Sequence, residues 1–188
     1  MNDNVGYGVF ATRRIPAGTI TWARDPLDRR FSPADAADLP PAFRVLLDTY
    51  AHRDRHGDYV LCWDHGRFVN HDSSPACLMT AYECEIAIRD IEAGDELTDD
   101  YGCLNLDAPF TCATPHGGRS IIRPDDLVRH HAEWDALVGA ALARYADVEQ
   151  PLAAVLSEAA RRELEAVAAG TAPMKSVLTC FWRAILTP

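Results

Sequence analysis

The chain has 188 residues and a formal net charge of −10, long enough to bury one sizeable core and too acidic for a binder of phosphate backbones, which needs a basic face to displace counterions. An acidic surface attracts a basic partner instead. No run of 18 apolar residues occurs, and the first residues lack a basic region followed by an apolar stretch, so neither a membrane span nor a secretory leader is expected and the reading is a cytoplasmic protein.

Taken in chain order, residues 9–11 and 19–22 are short β-type runs bounded by turn residues. Residues 33–53 break that pattern. Pro33-Ala34-Asp35 and Pro40-Pro41 lead into a stretch where Phe43, Leu46, Leu47 and Tyr50 recur at helical spacing, which predicts one short helix inserted between strands. Further strand candidates are residues 59–63, 78–82 and 85–88. From about residue 124 the composition turns rich in Ala, Leu, Glu and Arg. A helix is predicted from Pro124-Asp125 to Tyr145, carrying Leu127, Trp134, Leu137 and Leu142. A second is predicted over residues 152–169, with Leu152, Val155, Leu156, Leu164 and Val167 on one face and Gly170 as its stop. Pro173 then opens a terminal segment containing Phe181, Trp182 and Ile185, and all these stripes read as packing surfaces.

The pattern A-x-R-x-I-x-A-G occurs at residues 11–18 and again at 87–94. Each copy predicts a strand running into a tight turn in which glycine supplies a positive φ. Two copies are too few for a solenoid.

Three motifs carry the chemistry: Gly6-Tyr7-Gly8-Val9-Phe10-Ala11, then Arg67-Phe68-Val69-Asn70-His71 with Pro75 shortly after, then Glu96-Leu97-Thr98-Asp99-Asp100-Tyr101. In order and approximate spacing they resemble the signature of SET-domain methyltransferases, over residues 5–112. The resemblance implies a mostly β fold with an α appendage: several small folded-over sheets with a threaded C-terminal segment over residues 1–112, followed by a helical extension over 113–188. It implies S-adenosylmethionine as cofactor, with Gly6, Tyr7, Gly8, Arg67, Asn70, His71, Tyr101 and Phe110 as the residues around it. It also implies Tyr101 as the catalytic tyrosine, aligning a transferred methyl with a lysine amine of a basic protein or peptide. Catalysis of such an in-line displacement rests on positioning and electrostatics, without a protein nucleophile. A lysine must first lose its proton, which at pH 7 costs about 4.6 kcal/mol from a reference pKa of about 10.4, and desolvation in an apolar channel lowers that pKa.

Some positions depart from the family pattern. Where the commonest motif has a tyrosine lining the lysine channel, this chain has Asp99, and a carboxylate facing the ammonium would hold it protonated. Either Asp99 points to solvent or the substrate differs from an ordinary lysine. Ala76 replaces an asparagine after the proline. Ser73 stands where family members with a cysteine-rich tail carry a zinc-binding cysteine, and the tail here keeps only Cys112. A four-thiolate site cannot be assembled, so no metal is expected, with Cys103, Cys112 and His116 the residues left for another arrangement. The six cysteines form no CxxC pair and read as reduced thiols of a cytosolic protein. Asp99, Ala76 and the short stretch before Gly6 keep a second function open, a catalytically degenerate SET-like module that binds a peptide or partner.

Overall fold

The computed structural model describes residues 6–112 and 119–182; Ile185 and His116 lie outside the described residues. Short β-rich runs broken by Gly, Pro and Asp cannot build one long sheet, and they form four small ones. β1 (Val9–Phe10), β9 (Glu96–Asp99) and β6 (Asn70–His71) make the first, with β9 central. β2 (Ile20–Ala23), β8 (Cys84–Ala87) and β7 (Cys77–Met79) make the second, antiparallel throughout. β3 (Arg29–Phe31), β5 (Tyr59–Leu61) and β4 (Ala51–Arg53) make the third, and β10 (Phe110–Thr111) pairs with β11 (Ile121–Ile122). With the C-terminal helices α3 (Asp126–Leu142) and α4 (Glu158–Ala168), this is the expected class of small sheets followed by helices. No helix among the described residues is long and apolar enough to cross a membrane.

Residues 33–53 hold more than the single helix expected. Ser32 caps α1 (Pro33–Asp38) in a reciprocal box with Asp35, and Pro41 then starts α2 (Pro41–Tyr50), since proline fixes φ where the first helical N–H is unpaired anyway. Of the α2 stripe only Leu47 is buried, while Phe43 and Leu46 are exposed. The predicted strand at 78–82 ends at Met79 because Thr80 folds back: its Oγ1 donates to the Cys84 carbonyl at 2.8 Å and accepts the Tyr82 N–H at 3.1 Å. The second C-terminal helix begins at Glu158, where Ser157 accepts the Ala160 N–H. Gly170, at φ 69°, ends it, with Thr171 N–H on Ala166 O and Gly170 N–H on Val167 O.

The two compositional zones share a core. Ile20, Leu78 and Ile86 from the second sheet and Tyr82 from the turn between β7 and β8 pack with Leu127, Trp134, Val138, Leu142 and Leu164 from the helices. A smaller cluster of Ala11, Ala76, Cys77, Ala87, Ile91 and Leu97 lies under the repeat. There the two copies of A-x-R-x-I-x-A-G face each other about a pseudo-twofold axis. Ile15 and Ile91 exchange both backbone hydrogen bonds, at 2.8 and 2.9 Å. Gly18 N–H meets Ala87 O while Gly94 N–H meets Ala11 O, each at 2.8 Å, and both glycines take the positive φ their turns require. A twofold sets equivalent residues close together, and here the equivalent pair is Arg14 and Asp90, which form an ion pair instead of repelling.

Candidate active site

β6 and β9 run side by side and parallel, with Asn70 opposite Thr98 and His71 opposite Asp99, so the second and third sequence motifs are brought into register. The first motif joins through Asn70, whose Nδ2 donates to Tyr7 O at 2.9 Å and to Glu96 Oε1 at 2.7 Å. A Cβ at Gly8 would stand 2.3 Å from Glu96 Oε1, so that glycine makes room for the protein's own carboxylate. Gly6, at φ 80°, has open space where a side chain would project. Beside it the exposed Tyr7 ring packs 5.7 Å from Phe68.

Tyr101 opens a 3-10 turn capped by Asp100, whose Oδ1 accepts the Gly102 N–H. Its backbone N–H donates to His71 Nδ1 at 3.1 Å, and its hydroxyl donates to Val69 O at 2.7 Å. Burial and the nearby Arg119 guanidinium push His71 down to about 4, so the ring is neutral at pH 7. Since Nδ1 accepts, the proton sits on Nε2, which donates to Cys112 Sγ at 3.2 Å. Phe110 stands edge-on to His71 at 5.3 Å and lies 6.1 Å from the Tyr101 ring. Burial, with Asp99, Glu85 and Glu96 nearby, raises the Tyr101 phenol above its usual value, leaving it a hydrogen-bond donor at neutral pH.

Behind this turn α3 serves as a buttress. Arg119 pairs with both Asp100 and Asp126, two buried carboxylates, one on the Tyr101 segment and the other at the start of α3. Its guanidinium lies 5.6 Å from the centre of the Trp134 ring. A Cβ on Gly102 would come within 3.0 Å of Asp126 and 3.1 Å of Trp134, so the helix and the turn are in contact.

In front of Tyr101 opens a cavity of about 580 Å3 whose wall includes Trp22, Tyr59, Arg67, Glu85, Asp99 and Phe110. Asp99 faces this cavity and is 1% exposed, which removes the alternative that it points to solvent. Arg67 also lines the cavity, apart from Gly6, Tyr7, Gly8 and Asn70, with Nη1 held by the carbonyls of Cys62 and Trp63. The sequence-derived residues thus divide: Gly6, Tyr7, Gly8 and Asn70 form one face, Arg67, Asp99, Tyr101 and Phe110 another, and His71 binds to the Tyr101 backbone between them. Ala76, fully buried, donates its N–H to Thr98.

Sequence reasoning missed Glu85 and Arg119. Among the described residues no group of three or more His, Cys, Asp or Glu side chains could hold a metal ion, and His116 lies outside them.

Comparison with known proteins bears on what this geometry is for. Curated proteins return no match. Among solved structures, the crystal structure of a candidate histone methyltransferase from Plasmodium falciparum aligns over 50% of this chain and 86% of that one, at 19% identity and a TM-score of 0.35. The family model of the SET domain matches residues 6–102, more than half of the sequence. With its three motifs matched in order and gathered around Tyr101, the chain belongs to the SET-domain family.

Proposed function

We propose that the protein is an S-adenosylmethionine-dependent methyltransferase acting on the lysine side chain of a basic protein or peptide in the cytoplasm. The observation that carries this reading is the Tyr101 turn. It is built on the family's three motifs and faces a cavity of about 580 Å3, while the Asn70 side chain ties the neighbouring strands to an open face at Gly6. The residues there fit the cofactor. Gly6 leaves room for close approach beside the exposed Tyr7 ring, and His71, between the two faces, offers a neutral ring backed by Phe110 on the cavity side. When bound, the cofactor supplies an activated methyl group. The chain's own contribution is positional: Tyr101 orients the amine, the His71–Tyr101 backbone bond fixes the turn, and Arg119 holds that turn against α3. The net charge of −10 favours a basic partner.

A second reading, a binding module without turnover, is favoured by the buried Asp99 in the cavity, because a carboxylate keeps an amine protonated. Calorimetry and thermal shift with S-adenosylmethionine and its demethylated product separate the two. The enzyme reading expects both ligands to raise the melting temperature; no heat and no shift with either would sink it.

A further inference from the structure

Asp99 lies at the end of β9 with Oδ1 accepting the Asp100 N–H at 2.7 Å, while Oδ2 is buried without any hydrogen-bond partner. Buried polar atoms are almost always paired, so this one calls for an explanation outside the fold itself. Glu85 reaches the same cavity from β8. Among the described residues neither carboxyl takes part in an ion pair, although two arginines stand in the wall. Arg53 is committed to Asp107, Tyr59 and Gly57 O, and Arg67 to the carbonyls of Cys62 and Trp63.

Apart from these two arginines, the groups facing the pair from neighbouring elements are acidic or neutral. Asp100 acts on Asp99 and Asp64 on Glu85. The Tyr101 phenol and the thiols of Cys62, Cys77 and Cys103 are all raised above their usual values and stay protonated. His52, on β4, is pushed down to about 4 by burial and is uncharged at pH 7. The cations of the described wall, Arg53 and Arg67, are turned to the partners named above and form no ion pair with either carboxyl.

We propose that Asp99 and Glu85 form a cation subsite at the floor of the cavity that takes a primary ammonium, the head group of a lysine side chain. This deepens the substrate side of the reading above and rests on it only for the identity of the chain that carries the ammonium. The number of acceptors selects the ligand. Asp99 Oδ2 and the two Glu85 oxygens are three free acceptors, matching the three donors of an ammonium, whereas a guanidinium brings five donors in a rigid fork. Burial raises both carboxyls, with Asp64 adding to the rise of Glu85 to about 7 and Glu85 and Asp100 adding to that of Asp99, so without an ammonium the pair retains a proton near neutrality. An arriving ammonium replaces that proton, and its release makes binding depend on pH. A group titrating near 7 is about one-tenth ionised at pH 6 and about nine-tenths at pH 8, so affinity rises about tenfold over that range while the lysine stays charged.

The test is calorimetry with the full chain and no methyl donor, using acetyl-Gly-Lys-Gly-amide, its norleucine analogue lacking the charge, and its arginine analogue. The expected result is at least a tenfold preference for lysine over norleucine at pH 8, about tenfold tighter lysine binding at pH 8 than at pH 6, and proton release at pH 6 in buffers of different ionisation enthalpy. Asp99→Asn and, separately, Glu85→Gln should each remove most of the preference and the pH dependence. Equal binding of norleucine and lysine, tighter binding of arginine, no lysine binding at millimolar peptide, or an unchanged pH dependence in both variants overturns the subsite. Because the methyl donor is absent, amine recognition by a protein that ignores S-adenosylmethionine would retain the subsite and discard the transfer reading.

Discussion

Tyr101→Phe lowers methyl transfer on a responsive lysine peptide by at least about 100-fold while leaving S-adenosylmethionine binding within a few-fold of the parent. The expectation follows from position. The hydroxyl stands at the cavity wall, is held by Val69 O at 2.7 Å, and is the only group the variant removes. Loss of one preorganised polar contact at a reacting centre typically costs 100- to 1,000-fold, or about 2.7–4 kcal/mol of barrier. The variant's stability should fall by only about 1 kcal/mol, the net worth of one hydrogen bond. Single-turnover rates with bound cofactor are the appropriate measurement. Retention of more than half the parent rate would remove Tyr101 from the catalytic role.

The largest effect on stability is expected at Arg119. Replacing it with alanine strands Asp100 and Asp126, both about 1% exposed, without their shared counter-charge. Burial already raises Asp100 above its usual value, and the Arg119 guanidinium is what opposes that rise. Breaking a buried ion pair from one side costs about 3–5 kcal/mol, because the remaining charge is uncompensated. Urea unfolding of Arg119→Ala at pH 7 measures it. A loss below about 1 kcal/mol would mean the pair is solvated and that α3 does not depend on it. The same variant should loosen the Tyr101 turn, so transfer falls together with stability.

Much of this was readable in the sequence because the signals were local. The strands at Val9–Phe10, Ile20–Ala23, Tyr59–Leu61 and Cys84–Ala87 are apolar runs with turn residues at their ends, and α3 carries a regular stripe from Leu127 to Leu142. The order of the three motifs was enough to bring Asn70, His71 and Tyr101 together. Glu85 was hidden by the same periodicity that revealed its strand. Cys84 and Ile86 face the core, so alternation assigns Glu85 to solvent, and only the tertiary fold shows that this side looks into a cavity. Arg119 lies in a polar stretch with no period to mark it. The α2 stripe misled in the opposite direction: Phe43 and Leu46 have core spacing, yet the helix packs along an edge that buries only Leu47. The apolar residues before Ser157 have helical spacing too, but the Ser157 cap starts the helix after them.

The paired turns at Gly18 and Gly94 give the molecule an internal control. By local geometry the two are interchangeable, at φ 95° and 94° with matching hydrogen bonds, so an alanine in either costs the same backbone strain, on the order of 1–3 kcal/mol. Their surroundings differ. A Cβ at Gly94 meets nothing within 4 Å, whereas one at Gly18 comes 2.9 Å from Ala141 O and 3.0 Å from Arg144, and Gln150 clamps Gly18 O as well. Subtracting the unfolding free energy lost in Gly94→Ala from that lost in Gly18→Ala therefore isolates how firmly the C-terminal helices grip the sheets. A difference of at least about 1 kcal/mol marks an unyielding junction, and equal losses mark one that shifts aside.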